Sequence, residues 1–391
     1  MDITIKNFKF LLSLRCNEHE IAPNSPVCQI YYSTEVNVFS FRNSRKNLLG
    51  VDISSSSVKV LEIAQNDENF RLESYGIEAT APNSVIENTI ADTEAVGDSI
   101  EKAVARSGSN LKECACAIAG SKVITKKITL SSEIPEKDLE GQVQLEMVQH
   151  IPHPIEDISI DFQIENNPDD SGSPFEITVV ATKSENVDSC VVALERGGLI
   201  PKVVDVELFA LENALSLTSR ISRDDRLTGI LGIVDIGSSS TKFSVLEAGL
   251  ITYNREQNFG GKQLLNEIQR NYGLSYEEAK SSLAKSSLEA GFEEKVVAPF
   301  VETASQETER ALQLFYSSNN AARIEQVLLT GGCASLNGIA DSIMARIEMP
   351  VDIINPFEKI PLSAKIDPKK LRRDAPMLLT AFGLSSRGFD F

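Results

Sequence analysis

Two aspartates with matching surroundings are the residues best equipped for chemistry. Asp235 follows a short apolar run, Ile233-Val234, and precedes the small polar residues Gly237, Ser238, Ser239, Ser240 and Thr241. Lys242 then opens a second apolar run, Phe243 to Leu246. The stretch GVDISSSSVKV, Gly50 to Val60, repeats the pattern with Asp52, Ser54, Ser55, Ser56, Ser57 and Lys59. Each copy reads as strand, tight turn, strand, with a carboxylate at the end of the first arm. A turn without bulky side chains lets backbone N–H groups and hydroxyls approach a phosphate and donate to it. The carboxylate beside it suits a Mg²⁺ ion, with water between, because hard cations take oxygen ligands. One such turn is common between strands. Two near-copies about half a chain apart predict two related α/β halves that face one cleft, each offering a phosphate-binding hairpin.

A third glycine turn supports this. LLTGGCASLNGIA, Leu328 to Ala340, reads as a strand, a turn at Gly331-Gly332 and a helix start. Its glycines let a flat or charged ligand lie against the backbone, and a helix N-terminus favours negative charge. Phe259-Gly260-Gly261 precedes another helix from Lys262, and Gly260 and Gly261 are taken with the nucleotide site. His150 and His153 flank Ile-Pro with no Cys or His cluster beside them, so they are not read as metal ligands. The Glu pair after Tyr276 reads as an exposed helix turn, and no Ser/His/Asp triad is evident.

The elements that must position these residues follow from periodicity. Strands are expected at 48–53, 57–63, 70–79, 114–119 and 125–130, with a helix at 93–107, as a first half over 47–130. Residues 131–200 read as a small inserted α+β unit of order α-β-β-α. Its helix opens at Pro135 with Leu139, Val143 and Met147 on one face, and Pro152 and Pro154 stop it. Strands Ile158–Ile164 and Phe175–Ala181 and a helix at 184–197 complete the unit. Lys202–Val206 is a strand and Glu207–Ser219 a helix. The second half, 231–375, adds helices at Tyr276–Leu288 and Pro299–Ser318, the strand Gln326–Thr330 and a helix carrying Ile339, Ile343 and Ile347. A Pro- and charge-rich connection over 350–375 leads to a last helix, Pro376–Ser385. Segments 201–230 and 376–391 are grouped with the first half.

Composition narrows the class. The chain has 391 residues, 42% hydrophobic and 24% charged, as soluble globular proteins do. A net charge of −18 argues against broad nucleic-acid binding and against unaided adhesion to anionic lipid. No stretch approaches the roughly 20 apolar residues of a membrane span. Phe8 to Leu14 is interrupted by Lys9 and Ser13, which does not suit a signal peptide, and Arg15 before Cys16 does not suit a lipoprotein signal. Six cysteines in a chain this long are not a disulfide framework; Cys114 and Cys116 alternate on an expected strand and read as buried thiols. A reducing, cytoplasmic location is expected. Residues 1–46 carry six Lys or Arg against four Asp or Glu and are expected to be a flexible extension, or a consequence of where translation is taken to begin.

The order of motifs resembles the actin, Hsp70 and sugar-kinase superfamily. In that superfamily a phosphate hairpin, a connecting helix, a second hairpin, an adenosine turn and a second connecting helix follow one another. The matching segments here are Gly50–Lys59, Val203–Ala214, Ile233–Phe243, Leu328–Ala340 and Ala375–Arg387. In detail, LLGVDISSSSVKVLE, LEMVQHIPHPIEDISIDFQI, GGLIPKVVDVELFAL and PMLLTAFGLSSRGF are similar to the type IV pilus assembly protein PilM family, over about 48–391. The resemblance implies a duplicated ribonuclease H-like, actin-like fold with ATP and Mg²⁺ between the halves. Asp52 and Asp235 match the metal-organising aspartates. Ser54–Ser57 and Gly237–Thr241 match the phosphate loops, and Gly331 and Gly332 the adenosine turn. Glu207, in Glu-Leu-Phe-Ala, stands where the superfamily often has Glu-Pro-x-Ala and a water-positioning, catalytic Glu; with the proline absent, a helix-capping role stands beside it. Glu278 and Lys280 lie on a helix that often touches ribose or adenine, beside the plainer reading of a solvated face.

The resemblance further implies an ATP-binding scaffold with slow or negligible hydrolysis. It would bind the cytoplasmic tail of the inner-membrane protein PilN and other pilus assembly proteins, and reach the membrane only through them. Self-association stays open. Two alternatives share the fold: an FtsA-type cell-division filament protein, whose usual C-terminal membrane helix is not expected after Phe391, and a small-molecule kinase, for which the 131–200 insert offers no obvious substrate pocket.

Overall fold

The computed structural model describes residues 47–66, 69–165, 173–222, 227, 229–285, 291–318 and 323–389. The 1–46 segment, most of the turn between Ile164 and Phe175 and the end of the helix expected at Tyr276–Leu288 lie outside the described residues.

In chain order, β1 (Leu49–Ile53), β2 (Ser57–Asn66) and β3 (Asn69–Ala79) form a meander. The small hairpin β4 (Val85–Ile86) and β5 (Thr89–Ile90), helix α1 (Thr93–Ser107) and β6 (Glu113–Ile118) follow. Next come β7 (Val123–Leu130), α2 (Leu139–Met147), β8 (Ile158–Ile164), β9 (Phe175–Lys183), α3 (Ser184–Arg196), β10 (Ile200–Val206) and α4 (Glu207–Ser222). The second half holds β11 (Leu231–Ile236), β12 (Thr241–Glu247), β13 (Leu250–Gln257), α5 (Gly261–Tyr272), α6 (Tyr276–Lys285), α7 (Ala298–Ser318) and β14 (Gln326–Thr330). Then come α8 (Ile339–Ile347), β15 (Val351–Ile353), α9 (Pro368–Asp374) and α10 (Leu379–Ser385).

The two main sheets have one topology. Their strand orders are β3-β2-β1-β6-β10 and β13-β12-β11-β14-β15. In each, the first strand pairs antiparallel with the second and parallel with a later one. Asp52 sits opposite Lys59 in one ladder and Asp235 opposite Lys242 in the other. A β-bulge follows each lysine at the same distance, between Glu62 and Ile63 and between Val245 and Leu246. The duplication seen in the sequence is therefore a duplication of register. β11 and β14 are buried on both faces, which is why they read as continuous apolar runs.

Several expectations need correction. Thr125–Leu130 is expected in the first half. It is instead part of β7, which pairs with β9 in a separate three-stranded sheet, β7-β9-β8. Leu139, Val143 and Met147 of α2 pack there with Ile128, Ile177 and Val179. The helix at 184–197 is expected inside the insert. It buries Val187, Cys190, Val191 and Leu194 against Val96, Ile100 and Ala103 of the first half. The insert is therefore β-α-β-β rather than α-β-β-α, because an apolar helix face goes where a matching face exists. Strand β13 is not foreseen: Asn254-Arg255-Glu256 breaks apolar alternation, which an edge strand tolerates. The 350–375 connection contains β15 and α9.

The two connecting helices, α4 and α10, pack at the centre. A Cβ on Gly383 would overlap the carbonyl oxygen of Ala210, and one on Gly50 would overlap the backbone of Ala381 and Ser385. The cluster around them joins Leu215 and Phe382 to Leu231, Ile233 and Leu328 of the second sheet. Beside the crossing, Arg387 holds Asp205 in a two-pronged pair, Nε to Oδ2 at 2.5 Å and Nη2 to Oδ1 at 2.8 Å. Their side chains are 2% and 0% exposed. Removing one partner of a buried pair strands the other charge, at about 3–5 kcal/mol. Arg387→Ala should therefore lower the unfolding midpoint by many degrees in a thermal melt, and Arg387→Lys should recover little, because lysine cannot match the fork. An Arg387→Ala protein with the parent midpoint would remove this pair from the stabilising contacts.

Candidate functional site

The two hairpin turns meet. Ser55 Oγ and Ser239 Oγ are 2.5 Å apart. Between the halves lies a cavity of about 410 Å³. From the first hairpin it is lined by Asp52, Ser54, Ser55, Ser56, Ser57 and Lys59. The second hairpin contributes Asp235, Gly237, Ser238, Ser239, Ser240 and Lys242. Glu207, Gly261, Gly331 and Gly332 complete the set foreseen from sequence. Two candidates stand behind it. Thr241 is buried and donates from Oγ1 to the Phe259 carbonyl at 2.7 Å. Gly260 packs on the second hairpin, where a Cβ would come within 2.6 Å of the Gly237 carbonyl oxygen. The first N–H groups of this turn, on Gly261 and Lys262, donate to Gly237 and Ser238 at 2.9 and 2.8 Å, which fixes the hairpin from behind.

Of the charges that the two hairpins and Glu207 bring to the cleft, all but one are already paired. Lys59 Nζ donates to Asp52 Oδ2 at 2.8 Å and to Ser54 Oγ at 3.1 Å. Lys242 Nζ donates to Glu207 Oε1. Burial opposes the charge on Lys242, yet Glu207 and Asp235 hold its pKa above the ordinary lysine value. The other Glu207 oxygen, Oε2, is buried and has no hydrogen-bond partner among the described residues. Asp235 has no hydrogen bond or ion pair among them. Burial pushes its pKa up to about 6, against the pull of Lys242 and with the push of Glu207. Among the described residues no cluster of three or more His, Cys, Asp or Glu could hold a metal ion. A cation at Asp235 would need oxygens from a ligand or from water.

The third turn is locked to the second connecting segment. Gly331 has φ +90, and a Cβ there would overlap Asp235 Oδ1, so glycine is required both by backbone and by space. Thr330 Oγ1 and Gly331 N both donate to the Pro376 carbonyl, at 2.5 and 3.1 Å. Cys333 N donates to the Ile236 carbonyl at 3.1 Å, and burial pushes the Cys333 thiol up to about 12. Beyond the glycines the wall turns apolar, with Leu264, Leu265, Tyr276, Leu283, Leu336 and Met377. Sequence reasoning misses these because they look like core positions of amphipathic helices. Lys280 lines the same wall, whereas Glu278 accepts from Ser275 N and Oγ at the start of α6, as a helix cap.

Paired sheets of one topology, two phosphate-type hairpins meeting across a cleft and a glycine turn beside them define an actin-like, duplicated ribonuclease H-like protein. The family model for type IV pilus assembly protein PilM matches residues 50–389, and the chain belongs to that family. It is 24% identical to a solved PilM–PilN type IV pilus biogenesis complex, with 89% of this chain and 100% of that one covered and a TM-score of 0.72. It is 16% identical to the ethanolamine utilization protein EutJ from Carboxydothermus hydrogenoformans, with coverages of 89% and 92% and a TM-score of 0.52.

The electrostatics can be tested without a ligand. Lys242 is the strongest force lowering the Asp235 pKa, so Lys242→Met should move the Asp235 titration above about 6. Carboxyl-carbon NMR on aspartate-labelled protein reads this directly. A downward or absent shift would reject the assignment of charges.

Proposed function

We propose that the chain is a nucleotide-binding scaffold of type IV pilus assembly, holding ATP with Mg²⁺ between its halves and taking the cytoplasmic tail of PilN. The observation that carries the nucleotide reading is the meeting of two phosphate-type hairpins over a cavity of about 410 Å³, a size ordinary for a small-molecule site. The donor set fits. Ser55, Ser56, Ser238 and Ser239 offer hydroxyls and backbone N–H groups to phosphates, while Ser54 Oγ, Gly237 N and Ser240 Oγ are engaged by Ser57, Ser240 and Glu256; Gly331-Gly332 with Leu336 and Met377 offer a flat wall to a base. Asp235, unpaired among the described residues and pressed against Gly331 so closely that no Cβ fits between, is the carboxylate that would organise the cation, with Asp52 opposite. Bound Mg²⁺ would neutralise phosphate charge and orient the chain of phosphates.

Glu207 is the group placed to hold a water through its free Oε2. Its other oxygen is engaged by Lys242, which restrains it and supports slow turnover. We expect less than about 10 per second, the median for enzymes. Family membership and the likeness to a PilM–PilN complex support the partner. So does the insert: β8 is an edge strand with all seven residues half-buried, open to an added strand. Leu145 and Val148, at the end of α2, are 66% and 53% exposed. Among the described residues no helix is long and apolar enough to cross a membrane. A charge of −18 disfavours unaided adhesion to anionic lipid, so a place at the inner membrane would be reached through partners.

Asp235→Ala should weaken MgATP binding by at least about tenfold in calorimetry, a loss of about 1.4 kcal/mol; parental affinity in the folded variant would move the site elsewhere. Asp235 carries its charge above about 6, so parental affinity should fall as pH drops from 7.5 to 5.5, and Asp235→Asn should be weak and nearly flat over that range. For the partner, a synthetic PilN tail should bind the full chain and lose affinity when Leu145 and Val148 are both changed to Ser and β8 carries Ile160→Pro. Unchanged affinity in that folded variant would place the peptide off the insert.

A further inference from the structure

The hairpin β4–β5 belongs to neither main sheet. Its two-residue turn, Glu87-Asn88, has φ +48 and +62. Both residues lie in the left-handed region, where asparagine is at ease and glutamate is not. A turn kept in that conformation with a glutamate in it carries strain of the kind found at functional contacts. Here the contact is visible. Asn88 Nδ2 donates to Glu256 Oε1 at 3.0 Å and to Ser121 Oγ at 3.1 Å. Glu256 lies on β13, in the other half of the molecule. The same Oε1 accepts from Ser240 Oγ at 2.5 Å, and Ser240 belongs to the second phosphate hairpin. Asn88 itself lines the central cavity. One carboxylate oxygen thus ties a phosphate hairpin of the second half to a turn of the first, beside the Ser55–Ser239 contact.

Burial resists the charge on Glu256, but hydrogen bonds from Ser240, Asn88 and Ser121 and the nearby Lys242 keep its carboxyl below the usual range. The base of the hairpin is anchored as firmly. Val85 and Ile90 pack into the cluster that holds Val187 and Cys190 of α3.

Resting on the nucleotide reading above, we propose that Glu256 and Asn88 form a clasp across the cleft. Glu256 is a positioning residue: Asn88, backed by Ser121, fixes the carboxylate that holds Ser240, so that closing the cleft shapes the second phosphate hairpin and opening it releases the nucleotide. A local turn contact, the competing explanation, would leave Ser240 and its neighbours unmoved when Asn88 is changed.

The test uses the full chain and Asn88→Asp. Aspartate keeps the left-handed turn but sets a second carboxylate against Glu256. The reciprocal pair Asn88→Asp/Glu256→Gln restores donor–acceptor matching: the amide nitrogen introduced on β13 takes the place of that shared oxygen and gives one N–H to the introduced carboxylate in the turn and the other to Ser240 Oγ. Two readouts are needed. Stopped-flow release of a fluorescent Mg-ATP analogue should be about tenfold or more faster in Asn88→Asp, with association changed far less, and should return to within about threefold of the parent in the double variant. In nucleotide-free protein, hydrogen exchange should rise in Asn88→Asp at both 84–92 and 237–241, and fall back at both in the double variant. Parental release with exchange raised only at 84–92 would overturn the clasp. A parent that binds no analogue would overturn the nucleotide reading instead, and the exchange linkage between the two hairpins would still decide for or against the clasp.

Discussion

The approach of α10 to β1 and α4 is the constraint on which the rest depends. Helix backbones normally stand apart by the width of their side chains, and here two glycines remove that spacing. Gly50 admits α10 onto β1 two residues before Asp52, and Gly383 admits it onto α4 at Ala210, one turn after Glu207. The segment leading into α10 then supplies the Pro376 carbonyl that receives Thr330 and Gly331. One short stretch thereby fixes the first aspartate, the acid of the connecting helix and the glycine turn relative to one another. The buried Asp205–Arg387 pair closes the same stretch at its far end. Its net contribution to stability matters less than its directionality, since an ion pair with forked geometry tolerates no sliding of the helix.

This geometry sets the electrostatics. Three carboxylates and two lysines share the floor of the cleft, and two salt bridges pair off all but Asp235. An unmatched carboxylate among protein atoms is costly, and the rise of its pKa is the measure of that cost. A polyphosphate entering alone would add negative charge beside it, whereas one carrying a divalent cation would relieve it. On the nucleotide reading proposed above, the site would suit a cation–phosphate pair better than either alone. The Lys242–Glu207 bridge has a second consequence: the cleft acid with a free buried oxygen cannot turn without breaking an ion pair.

Much of this was legible in the sequence, because the chemistry sits in local patterns. Asp52 and Asp235 with their following serines and lysines specify strand, turn and register within a dozen residues, and both ladders form with Asp opposite Lys. The glycine turn at Gly331 was legible for the same reason. What failed was anything decided by distant surfaces. Helix α3 carries an amphipathic face that would suit the insert or the first half, and only the presence of Val96 and Ile100 decides between them. β7 looks like its neighbours in the first sheet until β9 pairs with it. Asn88 gives no signal at all in one dimension: Ile-Glu-Asn-Thr is an ordinary turn, and its partner is 168 positions away. The apolar wall of the cavity was hidden by looking like core, which in composition it is.

The corrected position of α3 changes how the insert relates to the cleft. The chain leaves the first sheet after β6, builds the three-stranded sheet and returns through α3, whose buried face belongs to the first half. Asn186 and Cys190 of α3 border a small cavity of about 80 Å³ whose opposite wall includes Asp52, Glu207 and Lys242. Coupling between distant sites needs an element with two arrangements that both sites bias. The β4–β5 hairpin lies where such an element would have to lie: one side faces the cleft hairpins, the other packs on α3, and a turn with two positive φ angles stands between them. A displacement of that hairpin on opening of the cleft would press on α3, and α3 continues directly from β9, the central strand of the insert sheet. The packed route from the cleft to the edge strand β8 therefore runs through side chains of the hairpin and α3 and then a sheet ladder.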